Sequence, residues 1–154
     1  MAIEIERKFL VKEAPFQLAK KSVQIKQGYL INEHDKVVRI RKQGTVYFLG
    51  IKGKATGLSR LEYEFMIPQK DAEEIQKHFC KNLIIHKTRH YIQFKGHTWE
   101  VDEFHDQNRG LVVAEIELNS EDEIFHRPEW VGEEVSKDER YYNMNLTTNP
   151  FSNW

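Results

Sequence analysis

In segment after segment of this chain, charged residues occupy one set of alternate positions and apolar residues the other, a parity that constrains the fold more than any single motif. Ile3-Glu4-Ile5-Glu6-Arg7-Lys8-Phe9-Leu10 sets the pattern; Val38-Arg39-Ile40-Arg41, Leu61-Glu62-Tyr63-Glu64-Phe65 and Trp99-Glu100-Val101-Asp102 repeat it. Strand side chains point alternately to opposite faces, so each segment reads as a strand with one charged and one apolar face. Glu4, Glu6 and Lys8 share a face, as do Arg39 and Arg41, Glu62 and Glu64, Lys87 and Arg89, Glu100 and Asp102, and Glu115 and Glu117, while Lys52 ends a further strand. The set holds eight carboxylates and six cations.

A solvated face accounts for any one such strand. Repeated through the chain, like charges at spacing i, i+2 lie about 7 Å apart on one face, and their repulsion calls for a counter-charge or a ligand. The opposite faces carry Ile3, Ile5, Phe9, Val38, Ile40, Leu61, Tyr63, Phe65, Ile92, Phe94, Trp99, Val101, Ile116 and Leu118, all of which require cover. A closed barrel with the charged faces inward meets both demands. Three or four helices would cover only part of its outer wall, so the rest is exposed or shared with a second copy in a homodimer.

Turn and periodicity signals place eight strands, over residues 3–10, 23–31, 36–42, 46–52, 58–67, 84–95, 97–104 and 111–118, with Gly44 and Gly96 breaking two hairpins. Pro15 opens a short helix over 13–20. Ala72, Ile75 and Phe79 give a helical period over 69–82, where Asp71 and Glu74 have the form of a capping box. Ser120 with Glu123 opens another short helix stopped by Pro128, and Ser136 with Glu139 starts a last one through Tyr141. The fold class is α+β, mainly β: an eight-stranded antiparallel closed barrel with a few flanking helices, as one domain over residues 1–154. A chain of this length buries roughly 68–70% of its unfolded surface and needs no staple.

Composition removes several classes of function. The net charge of -1 gives no basic surplus for nucleic acid. No apolar run approaches the roughly 20 residues of a membrane span, and Cys80 alone excludes a disulfide framework, so the expectation is a soluble cytoplasmic protein. No phosphate loop of the G-x-x-x-x-G-K kind occurs. His86 and His90, at i, i+4 on a strand, stand roughly 13 Å apart and cannot share an ion. A lumen of both signs instead suits a polyanion held with divalent cations: arginine forks and lysine point charges for phosphate, carboxylates as hard oxygen ligands for Mg²⁺ or Mn²⁺.

Glu4-Ile5-Glu6-Arg7-Lys8, an E-x-E-x-K at the N-terminus, resembles the opening of the CYTH superfamily, the triphosphate tunnel metalloenzymes. Arg39-x-Arg41, Ile51-Lys52-Gly53, Glu62-x-Glu64, Lys87-x-Arg89, Trp99-Glu100-Val101-Asp102, Glu115-x-Glu117 and the string Glu134 to Tyr141 follow in the family's order. The resemblance implies an eight-stranded tunnel acting on triphosphates with Mg²⁺ or Mn²⁺. It implies phosphate binding by Arg39, Arg41, Lys52, Lys87 and Arg89, with Lys8 near the phosphoryl group attacked. Glu4, Glu6, Glu62, Glu64, Asp102, Glu115 and Glu117 would serve as metal ligands, with Glu100 beside them.

Tyr29 falls at a tunnel tyrosine for which a proton-accepting role has been proposed; its ordinary pKa near 10 requires strong cationic surroundings for that. Short members of the family most resemble inorganic triphosphatases, so hydrolysis of tripolyphosphate is expected. Class IV adenylate cyclase, thiamine or nucleoside triphosphatase, and a non-catalytic polyphosphate or nucleotide sensor are the alternatives.

Overall fold

In the computed structural model, which describes residues 2–80 and 84–154, short turns set the strand pairing. Gly44 takes φ +61° between β3 (Lys36–Gln43) and β4 (Val46–Gly53). Lys95 and Gly96, at φ 43° and 87°, join β6 (Ile84–Phe94) to β7 (His97–Phe104) in the positive-φ turn whose twist matches a hairpin. The other strands are β1 (Ile3–Val11), β2 (Lys21–Glu33), β5 (Ser59–Ile67), β8 (Val112–Glu117) and β9 (Val131–Glu134).

β1 closes the barrel. Its first residues pair with β5 through Ile3 with Leu61, Glu4 with Arg60 and Ile5 with Ser59, while Glu6 to Leu10 pair with β8. The circuit β1-β5-β4-β3-β2-β6-β7-β8 is thereby complete, with every pairing antiparallel. Phe9 pairs with Ala114 on one side and Glu134 on the other, so β9 covers the edge of β1 that β5 leaves free.

The eight expected strands are all present; β9 is the addition, a Val-Gly-Glu-Glu segment too short and too polar to announce itself. The helices are smaller than their local signals suggest. Residues 13–20 hold one 3-10 turn, Phe16–Leu18. Helix α1 covers Gln69–Ile75 with Pro68, not Asp71, at its N-cap, and continues as a π turn over Gln76–Cys80; Lys81 and Asn82 of the expected helix lie outside the described residues.

At Ser120 the box makes a single turn, with Glu123 N–H donating to Ser120 O at 3.2 Å and Glu123 accepting from Asn119 N–H. The chain then has no regular structure over 123–128, and Phe125 packs edge-on against Phe9 and Trp99, ring centroids 6.1 and 5.9 Å away. Near the C-terminus, Asp138 caps a 3-10 turn at Glu139–Tyr141, followed by α2 (Asn143–Leu146). Ser136 instead accepts the Lys8 backbone N–H at 2.9 Å.

The outer wall is covered in two places. Phe125 and Trp130 lie over Phe9, Trp99, Val101 and Ile116, while Ala72 and Ile75 of α1 lie over Ile40 and Tyr47. The outer face of β5 remains open: Leu61, Tyr63 and Phe65 are exposed beside Ile3 and Ile51.

Candidate active site

Each lumen-facing row changes character along its strand. On β1 Leu10 follows Lys8, on β3 Val37 precedes Arg39, on β6 Ile85 precedes Lys87, on β7 Phe104 follows Asp102, and on β8 Val113 precedes Glu115. Val37, Ile85, Phe104 and Val113 form one buried cluster with Tyr29, Tyr141 and Leu146, against which Leu10 and Met144 pack. One end of the barrel is therefore an apolar seal under the C-terminal segment. Lys8 Nζ donates to Tyr141 O at 3.2 Å and Lys87 Nζ to Asn143 Oδ1 at 3.0 Å, which ties the innermost cations to that seal.

Beyond the seal lies a cavity of about 270 Å³. Glu4, Glu6, Lys8, Tyr29, Arg39, Arg41, Lys52, Glu62, Glu64, Lys87, Arg89, Glu115 and Glu117 all line it, so the structure brings together every sequence-selected site residue except Asp102. Asp102 is fully buried behind the wall, its Oδ1 accepting from Arg89 Nε at 2.7 Å and its Oδ2 from Arg89 Nη2 at 2.8 Å and Lys87 Nζ at 2.5 Å. With both oxygens occupied, Asp102 holds two cavity-lining cations and does not present a ligand to the cavity.

Parity alone could have found Arg60, two residues before Glu62 on the same face, which lines the cavity and donates to Glu4 at 3.0 Å. Tyr142 and Asn143 also line the cavity, and no local pattern signals them. Counting Arg60 and Glu100, the lining carries seven cations and seven carboxylates. Lys52 sits 2.9 Å from Glu4, Arg39 lies 3.5 and 3.6 Å from Glu62 and Glu64, and Glu115 lies 3.4 Å from Lys8 and 3.3 Å from Arg89; Arg89 also pairs with Glu100.

Glu6 stands apart. Its cross-strand neighbour is Glu117, and burial, with Glu115 and Glu4 beside it, pushes its carboxyl up to about 8. Burial would raise Glu4 too, but Lys52, the shared proton of Glu62 and Arg60 carry it well below the carboxylate range. Glu62 is the matching proton holder, pushed up to about 7 by burial and by its hydrogen bond to Glu4. Against burial, Lys8, Arg89 and Lys87 hold Glu115 well below the usual range. On the cationic side, burial lowers Lys87 to about 8 and, with Arg39 and Arg89 nearby, Arg41 to about 10.

Gly50 makes room for Arg39 in the cavity wall. A Cβ there would stand 3.1 Å from Arg39 Nε and 3.3 Å from Arg39 Cγ, so the Arg39 side chain lies close over the glycine and would have to give by a few tenths of an ångström to any side chain in its place. Arg39 Nε is buried without a hydrogen-bond partner, a donor of the kind a bound oxyanion would satisfy.

The donor set has the chemistry of a divalent-cation site without its geometry. Glu4, Glu6, Glu115 and Glu117 offer hard oxygens in one region, and the protonated Glu6 opposite Glu117 is the arrangement a cation would relieve. Among the described residues no trio of His, Cys, Asp or Glu converges on one point, because Glu4 turns to Lys52 and Arg60 and Glu115 turns to Lys8 and Arg89. The chemistry of the carboxylates fits such an ion, and ligation requires these side chains to release their ion pairs.

The CYTH domain matches residues 2–142 of the chain. The chain belongs to the CYTH family. An inorganic triphosphatase of Acetivibrio thermocellus is 47% identical over 154 residues, covering 100% of this CYTH chain and 99% of the relative. An inorganic triphosphatase of Nitrosomonas europaea is 39% identical over 147 residues, 93% of this chain and 95% of that protein. The crystal structure of the inorganic triphosphatase NE1496 matches with a TM-score of 0.69 at 36% identity, covering 96% of this CYTH chain and 95% of that one. A conserved hypothetical protein from Pyrococcus furiosus shares the fold, with a TM-score of 0.61 at 24% identity over 77% of this chain and 80% of that one. No helix among the described residues is long and apolar enough to cross a membrane.

Proposed function

We propose that this CYTH protein hydrolyses inorganic triphosphate to pyrophosphate and phosphate, with Mg²⁺ or Mn²⁺ entering the cavity alongside the substrate. The observation that carries this reading is the lining itself: seven cations and seven carboxylates in a blind cavity, with a buried Arg39 Nε left without a partner. An ion-paired lining makes a polyanion alone a poor guest, because each phosphate drawn to Arg39, Arg41, Lys52, Lys87 or Arg89 unbinds a carboxylate partner. Carboxylates released in this way would be available to a divalent cation. The two curated relatives with this name support the choice of substrate.

Glu4, Glu6, Glu115 and Glu117 would hold the ion, with Glu62 and Glu64 adjoining. When bound, a divalent ion screens phosphate oxygens and lowers the pKa of a coordinated water. The chain's own residues bind and orient. Arg39 and Arg41, two residues apart on β3, present parallel forks to the phosphate oxygens. Lys8, raised by Glu115, Glu6 and Asp102 against burial, remains charged where charge spreads in the phosphoryl transition state. Asp102 positions Lys87 and Arg89. Tyr29 acts as a hydrogen-bond donor and not as a base, because burial raises its hydroxyl against the pull of Arg39, Arg41 and Lys8.

The test is phosphate release from tripolyphosphate and from ATP in parallel, with Mg²⁺ or Mn²⁺ and then with EDTA. Turnover of tripolyphosphate well above that of ATP, and lost in EDTA, is the expected result. Cyclic AMP formed from ATP would replace it with the cyclase reading, and binding without turnover of either substrate would replace it with a sensor.

A further inference from the structure

Gln27 carries no charge, so a parity of charges passes over it. Its side chain is fully buried on β2 between Tyr29, two residues along the same face, and Arg41, its direct cross-strand neighbour on β3. Arg41 Nε donates to Gln27 Oε1 at 3.2 Å, and Gln27 Nε2 donates to the Tyr29 hydroxyl oxygen at 2.7 Å. These contacts fix the direction of every proton in the chain of groups. A guanidinium nitrogen only donates, so the atom facing Arg41 must be the amide oxygen. The amide nitrogen, also only a donor, then faces Tyr29, whose oxygen has to accept. The tyrosine O–H is thereby turned away from Gln27, and Tyr29 lines the same cavity as Arg39 and Arg41.

We propose that Gln27 is a positioning residue that aims the Tyr29 O–H at a phosphate oxygen of the bound polyanion and fixes Arg41 with its terminal nitrogens toward the same cavity. The inference rests on the triphosphatase reading of the site. It assigns a task to a residue that touches no substrate, and it gives the tyrosine a donor's role set by geometry. Burial, which outweighs Arg39, Arg41 and Lys8 in raising the Tyr29 hydroxyl, keeps that proton in place at neutral pH.

Gln27→Glu tests the arrangement, because a carboxylate still accepts from Arg41 but also accepts the Tyr29 O–H and so turns it from the cavity. Gln27→Glu and Tyr29→Phe should each lower kcat/KM for tripolyphosphate about ten- to hundredfold, the worth of one hydrogen bond to a charged group. The double variant should fall no further than Tyr29→Phe, since both changes remove one interaction. Tyr29→Phe should leave the acid limb of the pH–rate profile where it is in the parent. Gln27→Met, of similar length, adds no buried charge but also releases Arg41, so its loss should be at least that of Gln27→Glu. Parent-like kcat/KM in both Gln27 variants, additive losses in the double variant, or loss of the acid limb in Tyr29→Phe would overturn the proposal. Calorimetric binding of tripolyphosphate in EDTA repeats the series without turnover, with hydrolysis in Mg²⁺ measured beside it: a parent that binds in EDTA but does not hydrolyse in Mg²⁺ overturns the triphosphatase reading alone, while equal affinities across the series overturn the role of Gln27.

Discussion

Glu6 is a buried carboxyl whose proton makes stability depend on pH. Its folded pKa, about 8, lies above the ordinary 4.5, so between these values the folded chain binds a proton that the unfolded chain lacks. Stability contributed by this group is complete below pH 4.5 and falls as pH rises through about 8. Glu6→Gln removes that dependence: in EDTA above pH 8 its melting temperature should exceed the parent's, while metal-dependent hydrolysis is lost. A melting temperature equal to the parent's across that range would count against the buried, proton-holding Glu6. The same sign applies to cation binding, which must expel the proton and so tightens as pH rises, as proton release in weak buffer would register.

Asp102 behaves oppositely, since Arg89 and Lys87 lower its pKa against burial. Asp102→Asn leaves buried cations short of a counter-charge and should destabilise the fold by about 3–5 kcal/mol, measured by denaturant midpoint. The sequence made all these charges visible but could not separate Asp102 from the others. Parity puts it in the lumen, whereas its depth behind Lys87 and Arg89 follows only from how neighbouring strands stagger.

At the scale of elements, strands were more legible than helices: the helix expected over 69–82 is there as α1 and its π turn, while the other helical signals give single turns. A strand's parity is a property of its own residues, and closing the barrel preserves it, so all eight expected strands lie where the alternation placed them. A capping box is also local, but after Ser120 the burial of Phe125 on Phe9 and Trp99 outweighs the weak propensity of a short polar helix. β4 supplies its own prediction. Gly50→Ala brings a Cβ to 3.1 Å from Arg39 Nε and must displace the guanidinium without removing it. KM for tripolyphosphate should rise about tenfold with little change in the denaturant midpoint, a split that a general packing defect would not produce.

At the scale of the molecule, closure by β1 turns eight amphipathic strands into a container whose charges face one another. Tripolyphosphate added in EDTA should raise the melting temperature only slightly and lose that effect in high salt, while added Mg²⁺ should enlarge it and reduce its salt sensitivity. Equal stabilisation with and without the ion would show that the ion-paired lining needs no accompanying cation. The sequence by itself determined the strand set, the two-signed lumen and most of the residues in it, because side-chain alternation needs no partner to be read. Tertiary structure decided what depends on residues distant in the chain: the seal at one end, the service of Asp102 to Lys87 and Arg89, the entry of Arg60, and the bridge from Arg41 through Gln27 to Tyr29. Those features arise from register, depth and hydrogen-bond direction, and none of these exists until the strands have closed.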